Sequence, residues 1–437
     1  MELESCLSPP SEWRKVSIAS VCKRFTSGGT PSRKKLEYFE GGVLPWIKTK
    51  ELADCVVGDA EEWITEEAIA YSSAKRLPRN TLLMAMYGAT VGQLGVLGRE
   101  MACNQACAAM VVDDTLCDFR FLYYQLLGNR RQIVSMATGA AQQNLSGAQI
   151  KTWVLPLPSR GEQSRICHVL WSIDERIALL RRTNATLEAI AQALFKSWFV
   201  DFDPVRAKAE GREPEGMDAV TAALFPSEFE DSKLGPIPKG WSARALDSIA
   251  NYLNGLALQK YPPESDSEFL PVIKIAQLRA GHTRGADRAS ARLKPGYVVE
   301  DGDVLFSWSG SLEVETWGGG RGALNQHLFK VTSTEVPKWF YYLATRHHLP
   351  AFRETAAHKA TTMGHIQRRH LTEALVAVPP GPLMKVLSET AAPLLDACLN
   401  NALRASSLEG LRDTLLPRLI SGKLRLPEAD AEVEALS

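Results

Sequence analysis

Basic residues are concentrated in two separated stretches of a chain whose 50 lysines and arginines balance 50 acids. Residues 14–50 contain nine basic residues against Glu37 and Glu40, and residues 274–294 contain six against Asp287. Clustered lysine and arginine attract phosphates and other anions. We therefore expect two anion-facing surfaces, with solvated charged loops as the alternative interpretation.

Motifs for catalysis or metal binding are missing from the sequence. It has no Gly-x-x-x-x-Gly-Lys-Ser/Thr phosphate loop and no His-Glu-x-x-His pair. Cys103 and Cys107 have no histidine near them in sequence, which favours buried structural thiols over a metal site. His347 and His348 have no carboxylate nearby and are expected at the surface. We predict a non-catalytic chain that binds no metal and no cofactor.

Length and composition indicate a globular protein of several domains. A chain of 437 residues with 45% hydrophobic and 23% charged residues is too long for one core, so two to four domains are expected. No apolar run approaches the roughly 20 residues that span a bilayer, and the N-terminus lacks the basic-then-apolar order of a signal peptide. Eight irregularly spaced cysteines are typical of a reduced compartment. These features predict a cytoplasmic protein without a membrane partner.

Two stretches have hydrophobic residues at alternating spacings of four and three, the period of a coiled-coil helix. The first runs from Ile166 to Trp198 and the second, 221 residues later, from Leu387 to Leu419. Pro204 is expected to end the first helix, and Pro393 either kinks the second or lies in its first turn. Because an unpaired amphipathic helix would leave an apolar stripe in water, we expect the two helices to pack together.

Each hydrophobic seam contains one asparagine, Asn184 in the first and Asn401 in the second. If the helices run antiparallel with aligned midpoints, the numbers of facing residues add to 585, and Asn184 faces Asn401. An asparagine opposite an apolar side chain would leave its amide unpaired at roughly 1–3 kcal/mol. We therefore predict that this polar pair sets the register of the helices. The alternative is that both asparagines face solvent or a partner subunit.

The globular blocks that precede the helices also resemble each other. Pro45–Leu52 is similar to Pro271–Leu278, and Asn104-Gln105 recurs as Asn325-Gln326. The chain is therefore a tandem duplication, and short β-rich runs with a helix near residues 119–131 predict the α+β class. Our predicted boundaries are a first block at 12–158, a first helix at 159–203, a linker at 204–240, a second block at 241–380, a second helix at 381–424 and an acidic tail at 425–437. The predicted fold is two globular domains in tandem, separated by two long helices packed as an antiparallel coiled coil.

Four motifs lie in the predicted helices and in the segment between them: residues 195–204 (FKSWFVDFDP), 224–229 (LFPSEF), 235–241 (GPIPKGW) and 411–422 (LRDTLLPRLISG). These motifs and the order of the parts resemble the specificity subunit of a type I restriction-modification system. In the first block, residues 28–33 (GGTPSR), Pro45–Ile47 and Asn104-Gln105 match the target-recognition pattern of the family. The second block has Asn254–Gln259 (NGLALQ) where Gly-Gly-Thr-Pro is expected, so the family's loop contacts are not carried over to it.

The resemblance implies that each block is a target-recognition domain for one half of a split site in double-stranded DNA. The helices would set the distance between the halves and dock two methyltransferase subunits, which would bind S-adenosylmethionine. Whether restriction (nuclease) subunits also join is left open. Two alternatives from other classes are a coiled-coil adaptor with protein- or glycan-binding domains, and a stand-alone nuclease. The nuclease would need an acidic metal cluster that the sequence does not show.

A helix of the predicted length would be about 55 Å long, enough to hold two domains roughly one DNA turn apart. Candidate base contacts are side chains with the donors and acceptors that base edges require. In the first block they are Thr30, Ser32, Arg33, Lys48, Lys50, Tyr87, Gln93, Gln142, Gln143 and Asn144. In the second they are Lys274, Gln277, Arg279, Ser307, Ser309, Ser311, His358, Lys359 and Thr361. The alternative for each is a turn former or a surface polar group. Asn104-Gln105 and Asn325-Gln326 occur in both blocks, which favours a scaffold role at least as much as base contact.

Overall fold

The computed structural model describes residues 13–137, 144–357 and 364–424. Contacts divide the chain into two compact units, Met1–Glu175 with Glu409–Ser437, and Arg176–Leu408. Each unit therefore holds one globular block together with a part of each long helix. Among the described residues, no helix is both long and apolar enough to cross a membrane. Every described cysteine is a free thiol, and Cys103 and Cys107 are both buried as predicted.

The first block is a mixed arrangement of short strands and helices. Its strands are β1 (Arg14–Ser17), β2 (Cys22–Ser27), β3 (Leu44–Ile47), β4 (Cys55–Val57), β5 (Trp63–Ile64), β6 (Leu82–Ala85), β7 (Leu94–Leu97), β8 (Ala102–Cys103), β9 (Cys107–Val112) and β10 (Val154–Leu157). Its helices are α1 (Glu66–Tyr71), α2 (Phe119–Gly128), α3 (Arg130–Ser135) and α4 (Gly147–Thr152). Strands β3 and β6 are buried at every residue, because each is a continuous apolar run between turn residues.

Three sheets organise this block. A five-stranded sheet has the order β2-β9-β6-β7-β4, a three-stranded sheet has the order β5-β3-β8, and β1 pairs with β10. Strands β3 and β8 are parallel, with Trp46 opposite Ala102 and Ile47 opposite Cys103. Asp118 caps α2 through its carboxylate, which accepts from the Arg120 amide at 3.0 Å.

The second block repeats this frame. Its strands are β13 (Ser242–Ala245), β14 (Asn251–Asn254), β15 (Leu270–Ile273), β16 (Arg288–Ala289), β17 (Val298–Val299), β18 (Val304–Ser307), β19 (Val314–Thr316), β20 (Gly322–Leu324), β21 (Leu328–Thr332) and β22 (Leu375–Val378). Its helices are α8 (Leu246–Ile249), α9 (Ile275–Ala280), α10 (Lys338–Ala357) and α11 (Arg368–Glu373). Two four-stranded sheets have the orders β14-β21-β18-β19 and β16-β15-β20-β17, and β13 pairs with β22.

The pairing registers show the duplication directly. Ile273 lies opposite Leu324 in a parallel pair, as Ile47 lies opposite Cys103 in the first block. The outer pair β13–β22 likewise repeats β1–β10, and β14–β21 repeats β2–β9. The chain is therefore built twice on one frame, as its internal similarity predicted.

The two long helices are α5 (Arg160–Phe199) and α12 (Gly381–Ile420). The first ends at Phe199, before the predicted stop at Pro204, because Phe202 adopts a left-handed conformation (φ 55°) and a new helix begins at Asp203. Pro204 lies in the first turn of that new helix, where its missing amide costs nothing. Pro393 is inside α12 and exposed, so the possibility that it lies in the first turn is wrong.

Residues 204–240, the predicted linker, contain regular structure. They include most of α6 (Asp203–Ala209), all of α7 (Ala219–Leu224), and the hairpin of β11 (Phe229–Ser232) and β12 (Gly235–Pro238). Phe225 and Ile237 are buried in one core with Phe199 and Trp241. The Pro- and Gly-rich composition of this segment concealed the few apolar residues that anchor it.

Candidate nucleic-acid interface

Three loops and the residues before α4 meet at one edge of the first block. The Gly29 amide donates to the Cys103 carbonyl at 2.9 Å, and the Met86 amide to the Ala106 carbonyl at 2.8 Å. The Leu145 amide then donates to the Met86 carbonyl at 2.9 Å. These bonds bring the candidates Thr30, Tyr87 and Asn144 to one edge of the block. Together with Gln105 they form what we call the first loop edge.

The second block builds the same edge from the corresponding loops. The Leu256 amide donates to the Leu324 carbonyl at 3.0 Å, and the Ile366 amide donates to the Trp308 carbonyl at 3.0 Å. A longer bond of 3.3 Å joins the Trp308 amide to the His327 carbonyl. We call this surface the second loop edge, made of Asn254, Trp308, Gln326, His327 and His365.

A glycine packs against an asparagine carbonyl at both edges. A Cβ atom on Gly28 would lie 2.2 Å from the carbonyl oxygen of Asn104, and one on Gly255 would lie 2.2 Å from that of Asn325. The second block therefore keeps the glycine contact although it lacks Gly-Gly-Thr-Pro. Glycine is needed at this position because the two backbones touch there. In the first block Gly29 makes a second close contact, since a Cβ atom on it would lie 2.0 Å from the Ser73 carbonyl oxygen.

The recurring Asn-Gln pairs are bonded within the fold. The Asn325 side chain accepts from the His327 amide at 3.2 Å, and the Asn104 side chain accepts from the Cys107 thiol at 3.3 Å. Gln105 accepts a hydrogen bond from the Thr30 hydroxyl. These contacts support the expected scaffold role of both pairs.

Cations of the first basic stretch are paired with carboxylates from outside it. Lys48 lies 2.5 Å and Arg33 2.6 Å from opposite oxygens of Glu62, and Lys50 lies 2.6 Å from Glu61. The Arg33 guanidinium, followed by Lys48, holds the pKa of the Glu62 carboxyl below its usual value. Glu61 and Glu62 lie outside residues 14–50, in the segment just before β5. The local charge balance of the stretch therefore did not reveal them as partners.

Several cations of the second basic stretch are also paired with carboxylates. Arg288 lies 3.0 Å from Asp266, Arg292 lies 3.1 Å from Glu268, and Lys274 pairs with Asp287. Arg279 approaches Glu313 more loosely, at 3.9 Å. Such exposed pairs contribute little stability, but they orient their cations. Many cations of the two predicted anion-facing surfaces are therefore held in place by carboxylates. Whether these surfaces bind an anion stays a prediction.

Arg33 is the best oriented of the candidate base contacts. Its guanidinium carbon lies 4.6 Å from the ring centre of Phe39 and 5.1 Å from that of Trp46. Glu62 binds one terminal nitrogen, while 54% of the side chain remains exposed. A stacked guanidinium held at one end can present its other donors to an acceptor pair such as guanine O6 and N7.

Several other candidates are used by the fold itself. Ser307 is fully buried; its hydroxyl donates to the Ser311 carbonyl at 2.6 Å and accepts from the Glu313 amide at 2.7 Å. Ser309 is 5% exposed and bonds to His327, and the Gln277 side chain accepts from the Lys274 amide to cap α9. Burial and saturation favour a scaffold role for these three.

The remaining candidates differ in their exposure. The exposed ones are Ser32, Lys50, Tyr87, Asn144, Lys274, Arg279 and Ser311, and the half-buried ones are Thr30, Lys48 and Gln93. Gln142, Gln143, His358, Lys359 and Thr361 lie outside the described residues. No contact of the exposed side chains identifies a base, so their role stays a prediction.

The predicted contact between the seam asparagines is present in the unit of residues 176–408. The Asn401 amide donates to the Asn184 side-chain oxygen at 2.9 Å. Asn184 in turn donates to the Cys398 carbonyl at 2.8 Å, so both of its amide groups are bonded. The contact satisfies the two polar groups, while its role in setting the register stays a prediction.

Arg412, a charged residue on the second seam, has a partner that the sequence analysis missed. In the other unit its guanidinium donates to Asp174 at 2.9 Å, and the Tyr124 hydroxyl donates to the second oxygen of that carboxylate at 2.6 Å. Burial, followed by the charge of Asp174, raises the pKa of Tyr124. The predicted antiparallel register comes within one residue of this pair, because facing numbers add to 585 and 174 and 412 add to 586.

A second arginine joins a long helix to the second block. Arg346 of α10 lies 3.0 Å from Glu188 of α5 and 3.4 Å from Glu315 of β19. Burial raises the pKa of Glu315 to about 7, although the charge of Arg346 opposes that shift. Over the described residues, no group of three His, Cys, Asp or Glu side chains is arranged to hold a metal ion.

Comparison with known proteins shows similarity to one family. Residues 10–189 match the model of the type I restriction modification DNA specificity domain. Over 431 residues the chain is 24% identical to the type I restriction enzyme MjaIX specificity subunit of Methanocaldococcus jannaschii, covering 96% of this chain and 95% of that one. The chain is therefore similar to type I restriction enzyme specificity subunits, over its first block and first long helix in the family model and over nearly its whole length in this relative.

Other specificity subunits are similar over shorter or more divergent alignments. The HindI specificity subunit of Haemophilus influenzae is 24% identical over 358 residues, which covers 70% of this chain and 77% of that one. The crystal structure of a type I restriction-modification S subunit from M. genitalium matches with a TM-score of 0.54 at 16% identity, over 96% of this chain and 98% of that one. That likeness shows a shared fold.

Proposed function

We propose that this chain is the specificity subunit, and so the DNA-recognition subunit, of a type I restriction-modification complex, and that each globular block binds one half of a split duplex site. The observation that carries the proposal is the pair of loop edges built on one frame. The backbone contacts at Gly28 and Gly255 are the same, whereas the exposed side chains around them differ. Two unlike surfaces on one repeated scaffold suit two unlike half-sites.

Chemistry is assigned to other subunits in this proposal. Two methyltransferase subunits bind the long helices and supply S-adenosylmethionine, while this chain positions them on DNA in the cytoplasm without catalysis of its own. Restriction subunits are expected to join through the assembled complex. The paired arginines Arg346 and Arg412 support the positioning role, because each links a helix to a neighbouring element by charge-assisted bonds.

The proposal is tested by selecting duplexes from a random pool with the complex of this chain and its methyltransferase subunit. We expect two short fixed sequences separated by an unspecified spacer, with none selected by the methyltransferase subunit alone. A single continuous sequence, or no enrichment, would contradict the proposal. Incubation of the chain alone with duplex DNA and Mg²⁺ tests the nuclease alternative, and we expect no cleavage.

A further inference from the structure

Trp308 is held in a fixed orientation at the second loop edge. Its indole N–H lies 2.9 Å from the side-chain oxygen of Asn254 and 3.2 Å from the carbonyl oxygen of Gln326. Its ring centre lies 6.0 Å from those of Phe329 and His327 and 6.3 Å from that of His365. The indole is therefore restrained by two acceptors and three rings, yet it remains partly exposed.

The first block has none of this arrangement at the corresponding place. The two sheets align strand for strand, so Met86 after β6 corresponds to Trp308 after β18, and Ser27 at the end of β2 corresponds to Asn254 at the end of β14. Met86 is only 3% exposed and lacks a polar hydrogen. The Asn254–Trp308 pair is thus specific to the second block rather than part of the shared scaffold.

The chemistry of Trp308 determines which way the Asn254 amide points. An indole nitrogen is a donor only, so the Asn254 group that faces it must be the oxygen. The –NH₂ group of this exposed asparagine then projects away from the indole, with two donors and no acceptor. A free asparagine can pair with adenine by donating to N7 and accepting from N6, and the bond to Trp308 removes the second half of that pattern.

We infer that Asn254 is a donor-only base contact of the second block, held by Trp308, which favours guanine or thymine at one position of the half-site and disfavours adenine and cytosine. In the major groove, guanine presents the acceptors O6 and N7 and thymine presents O4. Cytosine presents an amino group there, and adenine presents an amino group beside its single acceptor N7, so both bases bring a donor against the –NH₂ of Asn254. The inference rests on the proposed function and adds the chemical class of base to one of its contacts.

The test uses the assembled complex and compares selected duplexes for the wild type, W308F and N254D. Phenylalanine keeps the ring but has no N–H, so Asn254 can turn its oxygen outward, and we expect adenine to gain about tenfold at one position of the second half-site. Aspartate keeps the bond to Trp308 but has no donors, so guanine and thymine should lose about tenfold there. The first half-site should stay unchanged in both variants.

Asn251→Asp is the matched control, because Asn251 is an exposed asparagine at the other end of the same strand β14. It should select the wild-type sequence. The N254D substitution is exposed and leaves the bond to the indole intact. If this variant selects the same bases as the wild type, the inference is overturned, while the two-part site still supports the proposed function. If the wild type selects no two-part site, the proposed function fails and the inference fails with it.

Discussion

Arg33 is a residue whose neighbours prepare it for base contact. Its guanidinium stacks on Phe39 and Trp46 and is bound at one nitrogen by Glu62. Lysine at this position would keep the charge but lose the planar fork and the stacking. We expect Arg33→Lys to reduce discrimination at one position of the first half-site by about tenfold, as measured by binding to matched and mismatched duplexes.

The neighbouring Lys34 offers the control for that experiment, because it is exposed and carries the same charge as the substituted residue. Lys34→Ala should weaken all duplexes to a similar, small extent. Equal discrimination by Arg33→Lys and the wild type would show that Arg33 contacts phosphate rather than a base.

The environment of His348 predicts that the stability of the protein depends on pH. This residue is half-buried, whereas the sequence predicted a surface position. Its ring N–H donates to the Leu375 carbonyl at 3.0 Å. Burial, followed by the neighbouring His347, lowers the pKa of His348 to about 4. Below pH 6.5 the unfolded chain takes up a proton that the folded chain excludes, so stability falls as pH drops from about 6.5 to about 4.

His348→Gln keeps a donor for Leu375 and removes the titration. The loss of unfolding free energy between pH 7 and pH 5, measured by urea denaturation, should be smaller in the variant by up to about 2 kcal/mol. Glu315, with its pKa raised to about 7, acts in the opposite direction, but it is present in both proteins and cancels in the comparison. An identical pH dependence in the two proteins would count against a buried neutral imidazole.

At the scale of elements, the pairing of the long helices has a polar contact in an apolar seam. Asn401→Leu would leave the Asn184 side-chain oxygen without its donor, and we expect a loss of about 1–2 kcal/mol in unfolding free energy. The double variant with Asn184→Leu should lose less than the sum of the single variants, because two leucines can pack together. Additive losses in urea denaturation would mean that the two amides are energetically independent.

Much of this element-scale organisation could be predicted from sequence, because it depends on a local period. Hydrophobic residues spaced by four and three predicted both long helices, and aligned midpoints predicted the contact of Asn184 with Asn401. The partners of Lys48 and Trp308 could not be found in this way. Glu62 and Asn254 lie 14 and 54 residues away from them, and only the folded strands bring those side chains together.

At the scale of the whole molecule, charge pairing affects the response to salt. Fifteen cations lie in the two basic stretches, but many are paired with carboxylates, so fewer of them can neutralise phosphates and release the counterions condensed on DNA. We expect the affinity of the complex for DNA to fall between 50 and 200 mM salt. The slope of log affinity against log salt concentration should be well below, in magnitude, the roughly 13 that fifteen neutralised phosphates would give. Glu61→Gln frees Lys50 and should steepen the slope, whereas an unchanged slope would show that Lys50 lies away from DNA.

The duplicated architecture predicts that the two half-sites are recognised independently. Each loop edge is formed within one block, so replacing residues 12–158 with the matching block of a type I specificity subunit should change one half of the selected site and leave the other unchanged. The chimera must keep the side chains through which the block meets the long helices in its own unit. Tyr124 bonds to Asp174, Gln125 donates to the Ile420 carbonyl at 2.9 Å, and Gln163 accepts from the Asp118 amide at 2.8 Å.

A chimera that retains Tyr124 and Gln125 should therefore assemble with its methyltransferase subunits, and the complex should methylate a hybrid site. Sequencing of the methylated duplexes would show which half has changed. The reciprocal exchange of residues 241–380, with Arg346 retained for Glu188, should change the other half. If either exchange altered both halves, base recognition would depend on both blocks together. In that case the repeated frame would reflect only the duplication from which the chain arose, and the two blocks would not each recognise one half of the DNA site.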